Sequence, residues 1–462
     1  MDYQFDLVSV GSGPAGQRAA VQAAKLGKRA ALIERRRLLG GVCVDTGTIP
    51  SKTFREAILS FTCGSLDGAP GHRPESRPTA DLLLQRVNSV VAREVRVIED
   101  QLRRNDVEVI FGEASFKDPH TLLVRSEDGW REITAGSVVI AVGTQPGPVP
   151  GVQPDGEVIV SSDDIMNLKR IPHSMVVVGA GVIGIEYASM FGALGVQVSL
   201  MERRDRPLEF LDHEIVDELV HEMRRRNVIL RPGEAVARID IIEGPPRRVL
   251  LELESGKKIT SDLALFAIGR IGATDTLNLP AAGLTADERG RVKVDEHFRT
   301  AVPHIFAAGD VVGYPSLAAT SSEQGRLAAC HALGLPAKAM ADNFPVGIYA
   351  IPEISMTGPP EHELTKQRVP YEVGLARYRE IARGQILGDD TGLLKLIFHR
   401  DDRRLLGVHI IGTSATELLH IGQAVLALGG GLDYFLDTVF NYPTLAECYK
   451  VAALNAENKL AN

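Results

Sequence analysis

The sequence predicts an α/β protein with two Rossmann-like dinucleotide-binding domains and a C-terminal α+β domain. Three observations lead there. A glycine fingerprint between a strand and a helix occurs twice, and each copy is followed by a second strand that ends in glutamate. From residue 343 onward there is no third fingerprint, and strands give way to helices. The chain has 462 residues, 44% of them hydrophobic and 5% aromatic, a length that suits about three domains.

The first copy opens the chain. Phe5 to Val10 (FDLVSV) is a β-branched run that enters Gly11-Ser12-Gly13-Pro14-Ala15-Gly16, and alanine-rich helical sequence follows to Leu26. Gly11 allows the tight turn, Gly13 lets a pyrophosphate reach the backbone, and Gly16 permits close packing of helix on strand, so that phosphates meet the helix N-terminus. A second strand, Arg29 to Ile33, leads to Glu34, 23 residues after Gly11, where a carboxylate accepts hydrogen bonds from an adenosine ribose. Next comes Gly40 to Lys52, GGVCVDTGTIPSK, with Cys43 and, five residues on, Thr48 where a second thiol would complete a redox pair. Helical pattern continues to about Phe61. Cys63 to Pro78 reads as a surface loop, and Ala80 to Arg104 as a long amphipathic helix. Val107 to Phe111 and Thr121 to Val124 are expected as strands of a meander. Val138 to Val142 is an apolar strand ending at Gly143-Thr144-Gln145-Pro146, a sharp exit beside which a cofactor or linker can lie. The proline-rich Pro146 to Pro154 sets the first domain boundary.

The second copy runs from the strand Met175 to Val178 through Gly179-Ala180-Gly181-Val182-Ile183-Gly184, a helix, and the strand Gln197 to Met201. Glu202 again lies 23 residues after the first glycine. Two complete fingerprints imply two bound dinucleotides, as in a flavoprotein that exchanges electrons with a nicotinamide. Glu202 favours NAD through the ribose 2′-hydroxyl, whereas Arg203 and Arg204 either pair with the 2′-phosphate of NADP or face solvent. A helix over His213 to Arg226 and strands over Arg247 to Glu254 and Ile259 to Phe266 close this unit near Gly269-Arg270. The strand His304 to Ala308 then brings Gly309-Asp310 to its C-terminal end, and a helix starting near Ala318 or Ala319 points its positive end at the same place. After residue 343, strands around Gly347 to Tyr349, Leu393 to Phe398 and Leu405 to Ile411 and helices from Thr416 and Leu445 describe an α+β cap or dimerisation domain.

Composition excludes several classes. A net charge of -8 and a pI near 5.9 argue against nucleic-acid binding or a basic membrane face, and the clusters Arg35 to Arg37 and Arg224 to Arg226 read as solvated ends. Cys43, Cys63, Cys330 and Cys448 have neither metal-ligand spacing nor the number for a disulfide scaffold, so no metal is expected, and a reducing compartment fits. With no leader pattern and no run of 18 apolar residues, the expected location is the cytoplasm. His409 and His420 either approach a dimer interface or are satisfied structural histidines, and the structural role is the expectation.

With both fingerprints, the Gly40 to Lys52 stretch and the Ala-Ala-Gly-Asp segment at 307–310, the whole chain resembles the FAD-dependent pyridine nucleotide-disulfide oxidoreductase family of dihydrolipoamide dehydrogenase and glutathione reductase. The resemblance implies an FAD-binding domain over 1–150 and 273–342, an NAD(P)-binding domain over 151–272, and an interface domain over 343–462 that makes a homodimer. It implies FAD contacts at Gly11, Gly13, Gly16, Glu34 and Asp310, and nicotinamide-dinucleotide contacts at Gly179, Gly181, Gly184 and Glu202. Gly41, Cys43, Thr48, Gly143, Arg203, Arg204, Gly269 and Ala318 complete the expected cofactor-binding set. Lys52 and Glu186 resemble the family's buried pair beside the flavin, where a positive charge favours flavin reduction and the glutamate balances it.

The departures narrow the function. Dithiol members carry a second cysteine where this chain has Thr48, and a His-Pro-Thr with a glutamate five residues after the histidine. Here the distal segment reads Asn441-Tyr442-Pro443-Thr444-Leu445-Ala446-Glu447, so Tyr442 stands in place of the base. Thiol exchange needs a thiolate, a resolving thiol and a base near neutral pH, and threonine with tyrosine supplies none of them. What survives is hydride exchange between nicotinamide and flavin. The segments CVDTGTIPSKT and FNYPTLAE are most similar to those of the family's soluble transhydrogenase branch. That branch implies an Si-specific NAD(P)+ transhydrogenase working by a ping-pong route, with FAD as cofactor and NAD and NADP as substrates. An NAD(P)H diaphorase or oxidase that passes flavin electrons to quinone or oxygen is the alternative.

Overall fold

The computed structural model describes residues 2–62, 78–149 and 151–460. All but the last residue of the loop expected over Cys63 to Pro78 lies outside them. The chain opens with β1 (Phe5–Val10), α1 (Pro14–Lys25) and β2 (Ala30–Glu34), then a short α2 (Val42–Asp45), α3 (Thr48–Thr62), α4 (Ala80–Arg104) and β3 (Glu108–Phe111). Pro14 at the first helical position of α1 gives up no needed N–H, and the alanines Ala15, Ala19, Ala20 and Ala23 let the helix lie close to its neighbours. In α4 the Thr79 hydroxyl accepts the Leu82 N–H at 3.3 Å, Asp81 sits in the first turn and Arg103 and Arg104 in the last, all of which suits the helix dipole. Its stripe of Leu83, Val87, Ile98 and Leu102 is buried, as the periodicity predicts.

β4 (Glu113–Asp118), β5 (Thr121–Ser126) and β6 (Gly129–Ile140) follow as an antiparallel meander. Two expectations change here. β3 is not part of the meander: it pairs parallel with β2, Ile33 facing Ile110. β6 starts nine residues before the apolar run Val138 to Val142, because its first half carries exposed Trp130, Arg131 and Glu132 and shows no apolar signal. Its second half pairs parallel with β1, so one strand serves both the meander and the main sheet.

The second unit contains β7 (Thr144–Pro146), β8 (Ile159–Ser161), β9 (Ser174–Val178), α5 (Val182–Ala193), β10 (Gln197–Glu202), α6 (His213–Arg225) and β11 (Val228–Pro232). β12 (Val236–Ile242), β13 (Arg248–Leu253), β14 (Lys258–Ser261), β15 (Leu263–Phe266) and β16 (Arg270–Gly272) complete it. Its parallel sheet has the order β11-β10-β9-β15-β8, with β12-β13-β14 as a separate antiparallel sheet. The single strand expected over Ile259 to Phe266 is therefore two strands in two sheets. They divide at Asp262, whose carboxylate accepts the N–H groups of His173 and Ser174 at 3.0 and 3.3 Å. β16 returns to pair with β7, and β17 (Ile305–Ala307) pairs with β6, so the chain closes back onto its first sheet before α7 (Ala318–Ala332). α7 packs on α1 so closely that a Cβ on Gly325 would stand 2.0 Å from the Ala15 carbonyl oxygen.

The last part holds β18 (Val346–Ile348), β19 (Ile354–Thr357), α8 (Glu361–Gln367), β20 (Tyr371–Arg377), α9 (Ala382–Leu387), β21 (Leu393–His399) and β22 (Leu405–Ile411). α10 (Ala415–Ala427), α11 (Leu432–Asp437) and α12 (Glu447–Leu460) pack on the sheet β18-β19-β22-β21-β20. Lys395 of β21 is fully buried, with Nζ 2.9 Å from Asp212 and 3.1 Å from Glu214, and also paired with Glu361. This ammonium occupies the one cluster of three carboxylates close enough to hold a cation among the described residues. Beside it His409 is buried, Nε2 3.2 Å from the Pro359 carbonyl, and burial pushes its pKa down to about 4, while His420 is exposed and meets Gln423. His409 is thus held within the core through one ring nitrogen, whereas His420 lies on the surface. No helix among the described residues is long and apolar enough to cross a membrane.

Candidate functional site

Both parallel sheets point their C-terminal ends at glycine turns of the same construction. At Gly11 the backbone turns with φ +106°, and at Gly179 with φ +100°. A Cβ on Gly16 would lie 1.8 Å from the Gly11 oxygen, and one on Gly184 would lie 1.9 Å from the Gly179 oxygen, so each helix is pressed against its own turn. Gly13 and Gly181 have nothing within 4 Å of the Cβ direction. They face open space at a helix N-terminus, where a pyrophosphate fits.

The first turn opens into a cavity lined by Gly11, Gly13, Glu34, Gly41, Cys43, Thr48, Gly143, Asp310 and Ala318, nine of the positions singled out from the sequence. Gly16 stands behind it as packing. Glu34 is fixed as a hydrogen-bond acceptor by the Ser12 N–H at 2.9 Å, the Ser12 hydroxyl at 2.6 Å and the Arg36 N–H at 2.8 Å. The same Ser12 oxygen accepts the Gly40 N–H at 2.9 Å and so ties the fingerprint to the Gly40 to Lys52 stretch. On the far side Asp310 meets the hydroxyls of Ser321 and Thr144 at 3.4 and 3.5 Å. Burial raises its carboxyl pKa against the pull of Arg270 and those two hydroxyls.

Cys43 and Thr48 line the cavity together, the thiol half-buried. Burial pushes the thiol pKa up; the Thr48 side chain and Lys52 only partly oppose it. One helical turn along α3 from Thr48, Lys52 places Nζ 2.8 and 2.9 Å from the two carboxylate oxygens of Glu186 on α5. Glu186 is nearly inaccessible and accepts the Tyr349 N–H at 2.9 Å.

Around the second turn Glu202 accepts the Ala180 N–H at 2.9 Å, but unlike Glu34 it is also clamped by a guanidinium. Arg204 Nε and Nη2 lie 3.1 and 3.3 Å from its two oxygens, and the Arg204 N–H donates at 3.0 Å. Burial raises the Glu202 pKa, and these hydrogen bonds more than reverse it, so the carboxyl is held below its usual range. Arg203 is exposed. Glu202 lines a recess with Ala180; Arg203 and Arg204 do not. The Gly269 oxygen accepts the Gly147 N–H at 3.0 Å, while neighbouring Arg270 reaches Thr144 at 2.9 Å and Asp163 at 2.8 Å. Tyr442 is 66% exposed, and Glu447 Oε2 is buried with no hydrogen-bond partner among the described residues.

Sequence reasoning missed Ser12, Arg270 and Tyr349. Ser12 lies inside the first fingerprint, where its hydroxyl is a signal that could be read. The other two act across segments far apart in the chain and leave no local pattern.

The profile of the pyridine nucleotide-disulphide oxidoreductase family matches residues 5–325, and that of its dimerisation domain matches residues 344–453. A soluble pyridine nucleotide transhydrogenase of Mycobacterium tuberculosis is 52% identical over 99% of this chain and 98% of its own. One from Vibrio vulnificus is 44% identical over the same shares. The HOCl-induced flavoprotein disulfide reductase RclA from Escherichia coli superposes with a TM-score of 0.88 at 27% identity, covering 97% of this chain and 99% of that one. Its two glycine turns, its closing sheet and its full-length relatives agree: the chain belongs to the pyridine nucleotide-disulphide oxidoreductase family, in the group of the soluble pyridine nucleotide transhydrogenases.

Proposed function

We propose that this protein is an FAD-dependent, Si-specific NAD(P)+ transhydrogenase that moves hydride reversibly between NADPH and NAD, and between NADH and NADP, by a ping-pong route without a redox-active disulfide. The observation that carries this reading is that Cys43 and Thr48 line one cavity: at the place of a dithiol, a half-buried thiol shares the lining with a hydroxyl, while the Lys52–Glu186 pair one helical turn on is intact. Segments 1–150 and 273–342 bind FAD, 151–272 binds the nicotinamide dinucleotide, and 343–462 joins two copies into a homodimer. The match to the family's dimerisation domain and the exposed apolar side chains of Leu428, Val439 and Tyr442 support that last role.

The site fits FAD at both ends. Gly13 and α1 receive the pyrophosphate, Glu34 the adenosine ribose, and Asp310 with α7 the polyhydroxyl chain and ring. When bound, FAD supplies the two-electron acceptor that one nicotinamide fills and the next empties. Lys52 would keep a positive charge beside the ring, and Glu186, buried behind it, fixes that charge and through it would help to seat the nicotinamide. Because no proton moves with the hydride, no acid or base is needed, and catalysis is positioning and electrostatic stabilisation. The proposal is tested by steady-state exchange between NADPH and a thio-analogue of NAD, with the flavin spectrum followed. In anaerobic rapid mixing, NADPH-reduced enzyme is expected to be reoxidised faster by NAD than by quinone or oxygen; the opposite order overturns the reading.

Two substitutions extend it. Cys43→Ser is expected to leave exchange within about twofold of wild type, since burial raises the thiol pKa and keeps it neutral. A loss of more than tenfold would show that the thiol takes part. Arg204→Ala is expected to raise the KM for NADPH by about tenfold, the worth of one charge-assisted hydrogen bond, with little change for NADH. Glu34 and Glu202 explain why: the first is a bare carboxylate that repels a 2′-phosphate, whereas the second carries its own guanidinium. Equal effects on both nucleotides would remove Arg204 from cofactor choice.

A further inference from the structure

The Lys52–Glu186 pair has a third member, supplied by the C-terminal part of the chain. Between β18 and β19, residues 349–353 form a strap that crosses both α3 and α5. The Tyr349 N–H donates to Glu186 Oε1 at 2.9 Å, the Ile351 N–H donates to the Ser189 hydroxyl at 3.0 Å, and Arg55 Nε donates to the Ala350 oxygen at 3.0 Å. Arg55 also pairs with Glu353 at 3.1 Å, both side chains almost fully buried. The strap is thus fixed at four points. It sets the Tyr349 ring with its centroid 5.0 Å from Lys52 Nζ.

We propose that Tyr349 is a positioning residue for the flavin-side cation: its ring and backbone N–H hold the Lys52–Glu186 pair in the one arrangement in which the ammonium raises the flavin potential. The inference rests on the reading of Lys52 given under Proposed function. An ammonium has three donors, and two of its nearest contacts here are carboxylate oxygens, which draw it toward Glu186 and away from any other partner. An aromatic face attracts the same charge from another side, within the distance at which the ring quadrupole acts, and it keeps water from that side of Nζ. The Lys52 side chain is 24% exposed with the ring in place; without the ring more water reaches the ammonium, and its field at the flavin weakens as the local dielectric rises. Because flavin reduction adds negative charge, a weaker field lowers the potential.

The midpoint potential of bound FAD, measured spectrally against redox dyes on the holoenzyme, tests this. Tyr349→Leu is expected to shift the reduction equilibrium against the reduced flavin by about tenfold, about 30 mV for a two-electron couple. Tyr349→Phe keeps the ring and is expected to hold the wild-type potential. Trifluorophenylalanine at position 349, close in size to phenylalanine but with a depleted ring face, is expected to behave like leucine, and it serves if the leucine variant does not retain FAD. Lys52→Met separates the two levels. If Lys52→Met shifts the potential and Tyr349→Leu and the fluorinated ring do not, the inference about Tyr349 fails alone. If Lys52→Met leaves the potential unchanged, the reading of Lys52 fails, and the inference with it. A drop with Tyr349→Phe as large as with leucine would also overturn it, because the hydroxyl and not the ring would then be responsible.

Discussion

Lys52→Met is expected to lower hydride exchange between NADPH and NAD by 10²- to 10³-fold, about the cost of removing one preorganised electrostatic group. Methionine fills nearly the same volume, so the loss reports charge more than shape. The substitution also strips Glu186 of its counter-charge. With a side chain only 4% exposed and the Tyr349 N–H as its remaining partner, that carboxylate is expected to destabilise the fold by about 3–5 kcal/mol. Adding Glu186→Gln relieves the buried charge. The double variant should therefore recover most of the lost thermal stability while exchange stays low. Melting temperature and turnover, measured on the two variants together, separate the effects. A Lys52→Met enzyme that exchanges hydride within tenfold of wild type would exclude Lys52 from the chemistry.

Gly16→Val and Gly13→Ala are expected to fail in different ways, though three residues apart in one fingerprint. At Gly16 the new Cβ would lie 1.8 Å from the Gly11 oxygen, so α1 must leave β1. α1 also packs on α7, and the displacement passes to the helix whose N-terminus lines the same cavity. A destabilisation above about 4 kcal/mol is expected, enough to prevent isolation of a yellow protein. At Gly13 the methyl enters open space, and the fold should hold to within about 1 kcal/mol. That space is where the pyrophosphate would sit, so this variant is expected to be folded, low in FAD and inactive. Circular dichroism and flavin content measured side by side decide the matter. A Gly13→Ala protein with full FAD content would move the pyrophosphate elsewhere.

The contrast between those glycines marks what is readable in a sequence. Both dinucleotide turns were legible because each is local: the three glycines, the helix and the acidic strand end fall within 24 residues of one another, directly after a strand, and their sterics recur wherever that order occurs. The absence of a second thiol at Thr48 and of a base at Tyr442 was equally legible, since both are questions of which atoms are present. Strands without a local signal were not. The exposed half of β6 reads as polar loop, β3 declares its sheet only by pairing with β2, and one apolar run from Ile259 to Phe266 divides between two sheets at Asp262.

Residue types at 202–204 left NAD, through Glu202, and NADP both open, and left the two arginines between the 2′-phosphate and solvent. Tertiary structure placed the Arg204 guanidinium on Glu202, because that depends on where a flexible side chain finds its nearest buried charge. The same holds for the joining of Lys52, Glu186 and Tyr349. Their contact is long-range, made by packing α3, α5 and the strap at 349–353 against one another, and no spacing along the chain encodes it. The sequence by itself determined which chemistry is possible here, because composition and local turns carry it. Which charges stand beside which was decided only when the three parts of the chain closed on one another, since electrostatic pairing follows distance in space.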